Sequence, residues 1–173
     1  MSRAYSAALP IAYVVLRLLI LVNWLYGLAI LALLLVLPNE RWIMSAFELS
    51  PSPEADRLVM ALRVVAALGL VTIPLNYVVL KRLLGMVETV RRGDPFVAAN
   101  ARRLQAIAWA LLALQLLSLV IGGIGKAVST PAHPVDLDAG FSINGWLAVL
   151  LTFVLARVFA HGALMREDLE GTV

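Results

Sequence analysis

Apolar positions fall into four long runs separated by short polar stretches, over residues 18–37, 58–80, 104–124 and 146–164. A helix needs about 20 such residues to cross a hydrocarbon core about 30 Å thick. The pattern therefore predicts an all-α fold: a four-helix transmembrane bundle forming a single domain over residues 1–173. Lipid replaces water as the solvent for most of such a molecule.

Composition strengthens this reading. Hydrophobic residues make up 62% of the chain and charged residues 14%, with a mean hydropathy of +0.92. Soluble domains average about 45–50% apolar and about 25% charged. The chain has no cysteine, which excludes disulfides, thiolate catalysis, haem thioether attachment and cysteine-ligated zinc or iron–sulfur clusters. Arg3 and Arg17 fit the basic start of a signal peptide, but the apolar stretch is too long and no A-x-A site follows Leu37. A retained first span is expected.

The net charge of +3 and pI near 9.7 are explained better by topology than by nucleic acid. Lys and Arg are retained on the cytoplasmic side of a membrane. With four spans, Arg3, Arg17, Lys81, Arg82, Arg91, Arg92, Arg102, Arg103, Arg157 and Arg166 share one side. Arg41, Arg57, Arg63 and Lys126 fall on the other. Both termini and the middle loop are thus expected in the cytoplasm, in a multi-pass protein of a bacterial inner membrane. Trp42, Phe47, Phe141 and Trp146 are placed as aromatic anchors of the outer interface.

The second helix is expected to continue past its apolar run. Residues 81–92 stay helix-compatible, with Leu83, Leu84, Val87 and Val90 apolar and Glu88 four residues before Arg92. Gly93 then supplies a C′ position, Asp94 an N-cap and Pro95 the first position of the third helix. The second and third helices thus extend into a basic cytoplasmic hairpin. Arg91, Arg92, Phe96, Arg102 and Arg103 are its candidate contacts to a partner or to anionic lipid.

Gly93-Asp94-Pro95-Phe96, followed by Asn100 and by Arg103-Leu104, resembles the central block of a bacterial membrane family known as domain of unknown function 2975. Phe159-x-x-Gly162, Arg166-Glu167-Asp168-Leu169 and Thr172-Val173 resemble that family's ending. The resemblance implies a four-helix inner-membrane protein without established activity. It also implies a pairing with a small cytoplasmic helix-turn-helix regulator.

Ionisable residues at membrane depth are functional hypotheses by default. No Asp or Glu lies in any of the four runs, which weighs against proton-coupled transport, cation pathways and paired-acid hydrolysis. Arg17, Arg63 and Arg157 lie near span ends, where snorkelling to the interface is the plain reading. An anionic-substrate or headgroup site would use Arg17, Arg157 and His161, the last two sharing a helix face. Asn23 with Gly27, Thr72 and Asn76 with Gly69, and Gln115 with Ser118 and Gly122 mark polar or small faces. Such faces normally pack helices in lipid, and a ligand cavity is the alternative. Pro74 removes a helical donor and is expected to kink the second helix. His133, Asp136 and Asp138 make a weak metal set in a Pro-rich loop.

The expected function is a non-enzymatic membrane module, regulatory or signalling, that docks a cytoplasmic partner through its basic hairpin. A subunit of a small-molecule or lipid carrier or channel is the alternative. No cofactor and no direct nucleic-acid contact are expected. The expected partners are membrane lipids and, by resemblance alone, a helix-turn-helix regulator, with self-association left open.

Overall fold

A computed structural model describes the backbone of residues 2–36, 52–129 and 138–170, without the side chains of residues 2–7, 36, 54, 169 and 170. Arg41, Trp42, Phe47, His133, Asp136 and Thr172-Val173 lie outside the described residues, as does the side chain of Arg3. The fold is all-α, with no strand among the described residues. Its four helices are α1 (Ser2–Val36), α2 (Pro53–Arg91), α3 (Ala98–Val128) and α4 (Ile143–Glu170). Each contains one of the predicted apolar runs, apart from Leu37 at the edge of the described residues. All four are long and apolar enough to cross a membrane.

Local chemistry sets the helix ends. Ser52 caps α2, its Oγ accepting from the Ala55 amide at 3.2 Å, and Pro53 takes the first helical position, where no amide is needed. The helix runs on through Pro74 to Arg91, so its last turns are the polar extension expected from residues 81–92. Gly93 ends it with φ at +82°. The Asp94 amide donates to the Thr89 carbonyl at 3.1 Å and the Gly93 amide to that of Val90 at 3.0 Å. This pair of bonds is the Schellman arrangement, which needs a left-handed residue at C′.

The restart differs from expectation. The third helix begins at Ala98 rather than Pro95, and Asp94 does not cap it. Residues 94–97 take no regular structure, and Asp94 and Phe96 are engaged by α4 instead, as described below.

Helix contacts divide the chain into two compact units. One comprises Met1–Asn23, Pro74–Ala113 and Ile143–Val173. Its interior is built by Leu104, Ile107 and Ala108 on α3 and by Val149, Ala156 and Ala163 on α4, all buried. The α4 positions recur every seven residues, the spacing that keeps one seam of a helix against its neighbour. Trp109 and Phe153 pack edge to face, with ring centroids 5.3 Å apart.

The other unit comprises Trp24–Ile73 and Leu114–Ser142. Small residues bring backbones together there, as they do between helices in lipid. A Cβ on Gly27 would meet Ile73 at 3.1 Å, and one on Gly69 would meet Ile30 at 3.5 Å. A Cβ on Gly122 would come within 2.6 Å of the Ala139 carbonyl oxygen. In both units large apolar side chains point outward, among them Leu18, Leu21, Leu25 and Leu28 of α1. That surface suits lipid, where outward apolar residues carry no penalty.

Candidate functional site

The first unit concentrates polar chemistry where α2 turns into α3. Asn100, on the first turns of α3, is fully buried. Its Nδ2 donates to the Pro95 carbonyl and to Thr89 Oγ1, both at 2.8 Å. Its Oδ1 accepts from Arg103 Nη1 at 2.8 Å. Arginine can only donate and a carbonyl can only accept, so these two partners fix which way the amide points. The Thr89 hydroxyl then directs its own proton to the Met86 carbonyl at 2.8 Å. One amide thereby ties the end of α2, the turn and the start of α3.

Arg103 reaches Asn100 by passing over Gly85, where an added Cβ would lie 3.0 Å from its Nε. An isolated glycine inside a helix marks a close approach of this kind. Arg103 is half-buried, whereas Arg91, Arg92 and Arg102 are exposed. The structure therefore separates one arginine of the basic hairpin from the others. Arg103 serves the turn's own geometry.

The turn is also gripped from α4. Phe96 packs on Phe159 with centroids 5.2 Å apart, and a Cβ on Gly162 would come within 3.1 Å of its ring. Arg166 Nη1 donates to Asp94 Oδ1 as an ion pair. Phe159, Gly162 and Arg166 follow at three- and four-residue steps and so share a helix face. Phe96 keeps 46% of its surface exposed and the neighbouring Val90 37%.

From α1, Tyr13 takes part as well. The guanidinium of Arg91 lies 5.3 Å from its ring centroid and that of Arg17 5.1 Å. Arg17 Nη2 also donates to the Tyr13 hydroxyl at 2.6 Å. Both contacts have cation–π geometry.

Arg17 donates to Tyr13 and stacks on its ring, and among the described residues no hydrogen bond joins it to Arg157 or His161. Arg157 instead shares a groove with Arg102, between α3 and α4, while His161 is exposed outside its lining.

The polar residues of the spans behave mainly as packing groups. Thr72 Oγ1 donates to the Gly69 carbonyl at 2.6 Å within its own helix. Asn23 is buried and Asn76 half-buried. Ser118 Oγ bonds to both the amide and the carbonyl of Gly140, at 3.0 and 3.2 Å. With Gly122 against the same segment, the Ser118–Gly122 face is filled by residues 139–140. Gln115 is buried with its Nε2 unbonded among the described residues. Asp138 is exposed, and no metal-binding group of three His, Cys, Asp or Glu occurs among the described residues.

With this geometry in place, the two sequence blocks that carry the family resemblance become two halves of one joint. The sequence model of the family described as Protein of unknown function (DUF2975) matches residues 38–173. The chain belongs to that family. Both halves of the joint, residues 93–104 and 159–166, lie inside the matched segment of this DUF2975 chain. Comparisons with curated proteins and with solved structures find no match.

Thr89, Gly85 and Tyr13 were not legible as site residues, and Asn100 was legible only as part of the block that carries the family resemblance. Gly85, alone among larger helical residues, was the one available signal. The others depend on pairings across the turn or between helices that spacing along the chain does not reveal.

Proposed function

We propose that this DUF2975 protein is a non-enzymatic module of the bacterial inner membrane. Its α2–α3 hairpin and both termini lie in the cytoplasm, where the hairpin docks a protein partner and so carries a regulatory signal. The charge bias supports the orientation. The observation that carries the docking reading is that Val90 and Phe96 remain exposed beside Arg91 and Arg92 on a turn held from three sides. Aromatic and arginine side chains on a preorganised surface are what protein interfaces favour. Preorganisation also lowers the entropy lost on binding. The partner is a cytoplasmic helix-turn-helix regulator on the strength of the family resemblance.

The test is a photo-cross-linking residue at position 90 in intact cells. Docking predicts a discrete adduct with one cytoplasmic protein. Arg91→Lys or Arg92→Lys should weaken it, because lysine keeps the charge and loses the planar fork. Trimming Phe96 to alanine should weaken it further. No adduct, or yields unchanged in every variant, would leave the hairpin as a basic belt against lipid.

A carrier or channel subunit is the second reading. It draws on the groove of about 470 Å³ between α3 and α4, and it predicts that filling the groove abolishes function while Arg92→Lys does not.

A further inference from the structure

The groove between α3 and α4 has a floor of small residues, among them Ala101, Ala156, Ala160 and Ala163, and an arginine from each helix, Arg102 and Arg157. Neither arginine has a hydrogen-bond or ion-pair partner among the described residues. Trp109 against Phe153 sets the level of one wall against the other. Counting seven residues back on α3 reaches Arg102, and seven forward on α4 reaches Ala160, less than one turn past Arg157. At 1.5 Å rise per residue, the two guanidinium groups start within ~5 Å of the same level.

That level is also where the third apolar run begins, at Leu104. On the apolar side of it the groove is lined by Phe153 and Ala156; on the other side lies the exposed carboxylate of Glu167. Ten residues separate Glu167 from Arg157, or ~15 Å along the helix. An anion is thus favoured between the arginines and disfavoured at the outer lip.

We infer that this groove is a binding site for an anionic membrane phospholipid. Its phosphate is held between Arg102 and Arg157, and the first part of its acyl chain lies on Ala156 and Phe153. Paired guanidinium groups suit phosphate oxygens because they donate in parallel pairs. Basic pockets between membrane helices at the headgroup level take lipids of this class. The alanines leave room for a chain that larger side chains would exclude. This site uses neither Arg91 nor Arg92, so it stands apart from partner docking.

The experiment is thermal unfolding of the full-length protein in a neutral detergent with added phosphatidylglycerol, phosphatidylcholine or inorganic phosphate. Phosphatidylglycerol should raise the melting temperature well beyond phosphatidylcholine, and inorganic phosphate should not. Arg102→Gln or Arg157→Gln should each raise the lipid concentration for half the shift about fivefold. Ala160→Phe, which fills the groove without changing charge, should abolish the shift. Arg82→Gln, outside the groove, should leave it intact. Equal shifts from both lipids, a shift indifferent to the groove variants, or one reproduced by inorganic phosphate would each overturn the assignment.

Discussion

The amide of Asn100 donates to the hydroxyl of Thr89, eleven residues earlier and on the other side of the turn, at 2.8 Å. Because Asn100 is fully buried, its replacement leaves partners stranded rather than rehydrated. Asn100→Ala removes the acceptor for Arg103 and the donor for the Pro95 carbonyl. An unsatisfied buried polar group costs about 1–3 kcal/mol. The variant should lower thermal stability in detergent by several degrees. Asn100→Asp should not restore it, since a carboxylate would face the Pro95 carbonyl without a donor. An unchanged melting temperature for both variants would show that the amide does not organise the turn.

Two adjacent glycines of α3 should respond in opposite directions. At Gly122 a Cβ would meet backbone of residues 139 and 140 at 2.6–2.8 Å; at Gly123 it would meet nothing within 4 Å. Gly123→Ala should stabilise by up to about 1 kcal/mol through helix propensity. Gly122→Ala should destabilise, because backbone cannot rotate aside as a side chain can. Equal effects in parallel melting curves would contradict the seating of residues 139–140 on α3.

The turn residues can be ranked in the same way. Gly93 sits at φ +82°, so Gly93→Val forces a β-branched residue into the left-handed region, at a cost of about 1–3 kcal/mol. Asp94→Ala removes one partly exposed ion pair, worth less than about 1 kcal/mol. Gly93→Val should therefore lower the melting temperature more. If Asp94→Ala were the costlier change, Asp94 would be acting as the helix cap that the spacing suggested.

Much of this architecture was legible in the sequence, for physical reasons. A run of some twenty apolar residues has few folded outcomes in lipid besides a helix, so the four helices and the outward leucines of α1 could be expected. Gly93 was legible because few other residues occupy a left-handed C′ position at low cost. The restart was not. Asp94-Pro95 has the local chemistry of a cap and first position, but Arg166 and Phe159 claim Asp94 and Phe96 first, from about seventy residues away. The basic hairpin was legible as a total charge and not as separate roles. Only contacts distinguish Arg103 on Asn100 from Arg91 on Tyr13, and only the packing of α3 on α4 puts Arg102 and Arg157 along one groove.

Orientation rests on charge alone and has a direct readout. Fusions after Asp94 and after Val173 should give activity with a reporter that works only in the cytoplasm. A periplasmic reporter active at either position would reverse the topology and remove the hairpin from any cytoplasmic partner.

The central structural claim is that the Gly93–Phe96 turn and the end of α4 form a single joint. The protein has no cysteine of its own, so a pair introduced by Asp94→Cys and Arg166→Cys gives a signal without background. Both native side chains are partly exposed, 38% and 44%, and open to reagent. A short bifunctional thiol reagent is applied to native membranes, and the chain is then cleaved at a protease site inserted within residues 130–137. The two fragments should stay covalently joined, whereas a control pair at Asp94 and Leu147, which also spans the cleavage site but lies nineteen residues from Arg166 on α4, should let them separate. Fragments that separate equally in both would contradict the joint and, with it, the platform on which docking depends.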